Sequence, residues 1–241
     1  MTRTILITGA SSGIGAATAK LFLSQGWTVG LMARREKALQ DVAAGHKGAH
    51  VLPGDVTDPA GVDAAVSAFT ERAGRLDVLF NNAGMFVPAA PIDRTSVEDW
   101  NTAVSVNLTG MFLMARAAFR QMRAQGSGRI INNGSISAHV PREGAVTYTV
   151  TKHAITGLTR QLALDGRALN IACGQIDIGN ARTPMLESVD TAQRDAGGEG
   201  VAMMAVEDAA RAVLHMADLP EGTNVLTMTI MANAMPYVGR G

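Results

Sequence analysis

Short apolar runs alternate with stretches of helical periodicity along most of the chain. Residues 3–8 (Arg-Thr-Ile-Leu-Ile-Thr), 27–33, 50–53, 76–80, 128–132, 170–176 and 225–231 are brief continuous apolar runs, the pattern of strands buried on both faces. Between them, residues 16–23, 36–44, 59–73, 96–124, 148–169 and 207–217 carry apolar residues at helical spacing. Asp58 before Pro59 reads as a helix cap. Ser96, followed three residues later by Asp99, reads as another. Asn107 and Gly110 sit inside a long helical pattern although both disfavour helix, which marks a local departure there.

Strand and helix alternate without a linker-like break. The pattern predicts an α/β fold: a single doubly wound Rossmann-type domain over residues 1–241, with a parallel seven-stranded sheet flanked by helices. Residues 177–206 read as irregular, with Gly179, Pro184 and the run Gly197-Gly-Glu-Gly, and so as a lid or substrate loop.

Composition narrows the function classes. The 241 residues are 47% hydrophobic and 17% charged with zero formal net charge, which gives no electrostatic reason to expect nucleic acid or an anionic membrane as partner. The single cysteine, Cys173, excludes an internal disulfide and a cysteine-based metal cluster, and its apolar setting marks a buried, inert thiol. No metal site is expected. No apolar run reaches the ~18 residues of a membrane span. Met-Thr-Arg leads at once into a strand, leaving no signal peptide, so a cytoplasmic location is the expectation.

Candidate chemistry falls at the ends of the strands. Gly9-Ala-Ser-Ser-Gly13-Ile-Gly15 lies between the first strand and the first helix, the context a phosphate-binding loop requires. Its spacing, G-x-x-x-G-x-G, differs from the usual dinucleotide fingerprint, and an ordinary Gly/Ser turn is the alternative. At the end of the second strand, where an acidic residue would bind the ribose of NAD, stand Arg34 and Arg35. A guanidinium pairs with a 2′-phosphate and stacks on adenine, so the chain leans to NADP, and the Ser12 hydroxyl is placed to add a contact. Asp55, at the end of the third strand, is placed to accept from adenine's amino group. Asn81 and Asn82 end the fourth strand and suit either ligand contact or a turn. Tyr148 and Lys152 stand four residues apart on a helix, hence on one face. A cation beside a phenol favours the phenolate, so the pair is a plausible general acid/base unit. Alone it reads equally as a surface aromatic beside a lysine.

Taken together, Thr8-Gly-Ala-Ser-Ser-Gly-Ile-Gly15, Gly54-Asp55-Val56, Asn81-Asn-Ala-Gly84, Asn107, Ser135 and Tyr148-x-x-x-Lys152 resemble the short-chain dehydrogenase/reductase family. The resemblance covers residues 3 to about 185 and rests on the ordered set. It implies a catalytic tetrad of Asn107, Ser135, Tyr148 and Lys152. In it Tyr148 is the general acid/base and Ser135 a hydrogen-bond donor to the substrate oxygen. Lys152 lowers the tyrosine's pKa and binds the nicotinamide ribose, and Asn107 holds a water in a proton relay. The Ser135–Tyr148 spacing selects Ser135 over Ser137. A cofactor site of Gly9, Ser11, Ser12, Gly13, Ile14, Gly15, Arg34, Arg35, Asp55, Val56, Asn82, Ala83, Gly84, Tyr148, Lys152, Ile178 and Thr183 follows, with Thr183 at the nicotinamide carboxamide. The run Gln175-Ile-Asp-Ile-Gly-Asn180, with Ile178 where the family usually has Pro, departs from the pattern, and so does the tail from Met231.

The expected activity is NADP(H)-dependent hydride transfer on a carbonyl or secondary alcohol. An NAD(H) enzyme of the same type, or a non-catalytic cofactor sensor on the same fold, is the alternative. Met85, Ser137, His139, Val140, Val146, Met185 and Met203 are candidate pocket positions, mostly apolar, which points to a modestly hydrophobic small-molecule substrate. By resemblance, assembly to a homodimer or homotetramer through helices 100–124 and 148–169 is expected.

Overall fold

The computed structural model describes residues 2–238. Seven parallel strands, β1 (Thr4–Thr8), β2 (Thr28–Ala33), β3 (Ala49–Pro53), β4 (Val78–Asn81), β5 (Gly128–Asn133), β6 (Ile171–Ile178) and β7 (Thr227–Ile230), form one sheet in the order β3-β2-β1-β4-β5-β6-β7. The chain lays strands outward from β1 in one direction and then from β4 in the other. The crevice beyond the carboxyl ends of β1 and β4 is therefore the switch point where ligands bind in such sheets.

Helices α1 (Gly13–Ser24), α2 (Glu36–Ala43), α3 (Pro59–Ala73), α4 (Val97–Val104), α5 (Met111–Gln125), α6 (Val146–Gly166), α7 (Pro184–Asp195) and α8 (Val206–Asp218) complete the domain. The side-chain alternation of β1 splits its residues between two cores. Ile5 and Ile7 pack with Phe22, Leu39 and Val213 beneath α1, α2 and α8, while Leu6 packs with Phe69, Met114 and Ile130 beneath α3 and α5. Each such side chain contributes roughly 1.5–3 kcal/mol by leaving water.

The caps behave as the sequence indicates. The Asp58 carboxylate accepts from Ala60 N at 3.1 Å. Ser96 Oγ accepts from Asp99 N at 3.0 Å and donates to Asp99 Oδ2 at 2.8 Å, a side-chain variant of the capping box. The single long helix expected over 96–124 is interrupted. Between α4 and α5, Ser105–Gly110 widens to a π-helical turn around the fully buried Asn107. By length and composition the continuous stretch Val97–Gln125 is apolar enough to cross a membrane, but half of it is buried within this fold. Helix α6 begins at Val146, two residues before Tyr148.

Residues 177–206 are not irregular throughout. Strand β6 continues to Ile178, and α7 occupies Pro184–Asp195. Thr183 Oγ1 accepts from Leu186 N at 3.3 Å as the cap, with Pro184 in the first turn. No α7 residue is buried, although Met185, Leu186, Val189 and Ala192 stand at helical spacing along it. Residues 239–241 of the tail lie outside the described residues.

Candidate active site

The first wall of the crevice is the β1–α1 turn. Gly9 and Gly13 adopt left-handed backbone (φ +65° and +53°). A Cβ on Gly15 would lie 2.4 Å from the Gly9 carbonyl oxygen, so only glycine lets the first turn of α1 close on the loop. Ser12 occupies the N-cap position without a side-chain cap bond, leaving the first-turn N–H groups to a ligand, an arrangement that fits a phosphate. Exposed Arg34 and Arg35 stand beside the turn, and Arg35 Nη2 donates to Ser11 Oγ at 3.3 Å.

The floor is a row of amides. Thr8 Oγ1 accepts from Asn82 N (2.8 Å) and Ala83 N (2.9 Å). Asn82 Nδ2 donates to Thr8 O (2.9 Å), and Asn133 Nδ2 donates to Asn82 Oδ1 (2.9 Å). Asn81 is buried and ties β4 to α5 through Met111 O (2.7 Å), which makes it structural. Asp55 Oδ1 accepts from Thr57 N and Thr57 Oγ1, both at 2.9 Å, which fixes the loop after β3.

One cleft of about 430 Å³ joins these groups to the tyrosine and lysine. It runs from Arg34 and Arg35 past the glycine turn, Asp55, Val56 and Asn82–Gly84 to Tyr148, Lys152 and Thr183. Its chemistry fits a dinucleotide, with Arg34 and Arg35 at one end and Tyr148 and Lys152 at the other. Lys152 is buried and donates from Nζ to Asn133 O at 2.7 Å, and the ammonium lies 5.5 Å from the centre of the Tyr148 ring. Tyr148 is half-buried and stacks on Phe86, ring centres 4.1 Å apart. Ser135 is buried at the end of β5, where its hydroxyl accepts from Ser137 N at 3.1 Å and acts on the Tyr148 phenol. Asn107 stands one layer behind: its Oδ1 accepts from Met85 N (2.8 Å) and its Nδ2 donates to Met85 O (2.9 Å).

The sequence profile described as short chain dehydrogenase matches residues 3–194. The chain belongs to the short-chain dehydrogenase family. Over 194 residues it is 36% identical to a 2-(R)-hydroxypropyl-CoM dehydrogenase of Xanthobacter autotrophicus, covering 78% of each chain. It superposes with TM-score 0.89 on a closed form of serine dehydrogenase complexed with NADP+, at 27% identity and covering 99% of this chain and 98% of that one. A 3-ketoacyl-(acyl-carrier-protein) reductase from Brucella melitensis complexed with NADH gives TM-score 0.87 at 27% identity, over 96% of this chain and 97% of that one.

In this dehydrogenase the electrostatics differ from the sequence expectation. Desolvation, the largest effect, pushes the Tyr148 phenol above its ordinary pKa; the Ser135 hydrogen bond and Arg142 pull it down, and Asp177 pushes it further up. Lys152 is buried beside the phenol ring, its ammonium 5.5 Å from the ring centre. Its ammonium is directed at Asn133 O, and burial lowers its own pKa to about 8 against a weaker upward pull from Asp177. The Cys173 thiol is buried and pushed up to about 12, an inert group as expected.

Most residues expected at the cofactor site line the cleft, together with Met85 and Met185 from the expected pocket. Gly15 acts through packing. Ile178 is turned into the apolar core at the end of β6, because that strand runs two residues further than periodicity indicates. Met203 faces a separate depression between α8 and β7. Ser137 is fully buried, leaving His139 as the exposed polar group of that turn. Phe86, Arg142 and Asp177 went unrecognised in the sequence. Only Asp177 carried a signal, as a carboxylate in an otherwise apolar strand. Among the described residues no group of three His, Cys, Asp or Glu side chains is placed to hold a metal.

Proposed function

We propose that the protein is an NADP(H)-dependent oxidoreductase that interconverts a carbonyl compound and a secondary alcohol, with Tyr148 as general acid/base. The observation that carries this reading is the single cleft with Arg34 and Arg35 at one end and Tyr148 and Lys152 at the other. The bound nicotinamide supplies the hydride; the chain supplies position and proton. The glycine turn and the uncapped start of α1 hold the pyrophosphate, and Arg34, Arg35 and Ser11 receive a 2′-phosphate. Lys152 presents its ammonium to the nicotinamide ribose hydroxyls, and Thr183 faces the carboxamide. Ser135 donates to the substrate oxygen and orients it. Tyr148 gives a proton to that oxygen in reduction and takes one in oxidation. A raised phenol pKa keeps Tyr148 protonated at neutral pH, which suits the reductive direction.

Asn107 spends its side-chain amide on Met85, so a water in a relay from Lys152 would be held by main-chain oxygen in the π-turn. Residues 179–206, with exposed α7 bringing Met185 to the cleft, act as the lid. Exposed Phe112 and Leu164 on α5 and α6 support pairing of two copies through these helices.

The test is a fluorescence titration with NADPH and NADH, followed by a carbonyl panel. Preferential NADPH binding, with turnover lost in Tyr148→Phe and binding kept, is expected. No binding of either nucleotide overturns the reading. NADH preference, as the complex of the Brucella reductase with NADH would suggest, removes only the role given to Arg34 and Arg35.

A further inference from the structure

Asp177 is fully buried, one residue from the end of β6, and its hydrogen bonds reach directly into the acid/base site. Its Oδ1 accepts from the main-chain N–H of Ser135 at 2.9 Å and from Gln175 Nε2 at 2.7 Å. Its Oδ2 lies 2.7 Å from His139 Nε2. An ionised carboxylate only accepts, so Nε2 carries the hydrogen of that bond. Gln175 is held in turn by Thr156 Oγ1 (3.2 Å) and Thr159 Oγ1 (3.3 Å). A Cβ on Gly134 would lie 2.1 Å from Asp177 Oδ1 and 2.7 Å from Gln175 Nε2, so the glycine before Ser135 leaves the space this carboxylate fills. A buried carboxylate is tolerated when partners compensate its charge. His139 offers it a hydrogen bond from the rim, with its side chain 40% exposed.

We propose that Asp177 and His139 form a positioning dyad: the carboxylate fixes the Ser135 main chain so that its hydroxyl meets Tyr148, and His139 supplies the compensating group at the solvent side. This rests on the reading of Tyr148 as acid/base. The titratable and charged groups facing the dyad are Tyr148 and Lys152 from α6, with Arg142 acting on Tyr148 from the loop before it. Asp177 pushes the pKa of both Tyr148 and Lys152 upward, so the dyad's charge and the proton affinity of the acid are coupled.

The chain has two tyrosines, Tyr148 and Tyr237, so a Tyr237→Phe background leaves Tyr148 as the only tyrosine to titrate. Its phenolate is followed by ultraviolet difference absorbance over the range where circular dichroism shows the fold intact. Asp177→Asn keeps the shape and removes the charge, and the Tyr148 transition moves to lower pH. His139→Leu removes the donor to Oδ2 and leaves the carboxylate less compensated, and the transition moves to higher pH. In turnover with NADPH on a panel of ketones, Asp177→Ala, which removes the acceptor for Ser135 N–H, lowers kcat by about ten- to a hundredfold through misplacement of Ser135, with NADPH affinity unchanged. Opposite shifts establish the dyad; absent shifts, or shifts of one sign in both variants, overturn it. If Asp177→Asn does not fold, His139→Leu decides alone: an upward shift supports the dyad and an unchanged transition overturns it. A protein that turns over no carbonyl loses the functional reading, while the titration still decides the dyad.

Discussion

Replacing Lys152 with methionine tests the electrostatic account where its magnitude is largest. The side chain is 3% exposed, and burial holds its pKa at about 8 against an ordinary value of 10.5. Below about pH 8 the folded protein therefore carries a buried ammonium that the unfolded chain keeps in water, and this charge opposes folding. The unfolded state binds more protons between the two pKa values, so stability rises with pH across that window. The full penalty is on the order of 3 kcal/mol, and about 2 kcal/mol of it is relieved between about pH 7 and about pH 9.5. The Tyr148 phenol, raised above its ordinary value, titrates above this range and leaves it clear. Urea unfolding of the cofactor-free protein, read by circular dichroism at several pH values, measures the slope. Wild type gains about 2 kcal/mol relative to Lys152→Met over the window. Stability curves that stay parallel would refute the argument that Lys152 is buried and charged at neutral pH.

Arg34→Ala and Arg35→Ala each weaken NADPH binding about tenfold or more, as loss of a charge-assisted hydrogen bond does, and leave NADH binding nearly unchanged; titration at low and high salt checks both. Gly15→Ala drives a methyl against the Gly9 carbonyl oxygen and lowers stability by about 1–3 kcal/mol, read as a fall in Tm, with weaker binding of either nucleotide. Phe69→Ala, in the core beneath α3 and α5, costs about 3–5 kcal/mol in urea unfolding. Cys173 stays unreactive toward a thiol reagent in the native protein and reacts on unfolding.

The sheet was legible because its central strands are buried on both faces and announce themselves as apolar runs between helical periods. The glycine turn, Tyr148 and Lys152 were legible because their spacing has a geometric meaning. Helix α7 was not: its short apolar period, Met185, Leu186 and Val189, lies between Gly179, Pro184 and the Gly197-Gly-Glu-Gly run, which read as loop. The direction of the lysine was not legible, because sequence spacing places Lys152 one turn from Tyr148 but says nothing of Asn133 O, to which the ammonium turns. Asp177 stood in plain view as a carboxylate within a buried strand. Its partners Ser135 and His139 lie about forty residues earlier in the chain, joined to it only by the pairing of β5 with β6.

The central claim is that Tyr148 transfers the proton in a nicotinamide-dependent reaction, and single-turnover kinetics of wild type and Tyr148→Phe with NADPH and a ketone substrate test it most directly. The account predicts that both proteins bind NADPH with similar affinity and that the variant loses at least about a hundredfold in the rate of NADPH oxidation. A variant that oxidises NADPH as fast as wild type would contradict it.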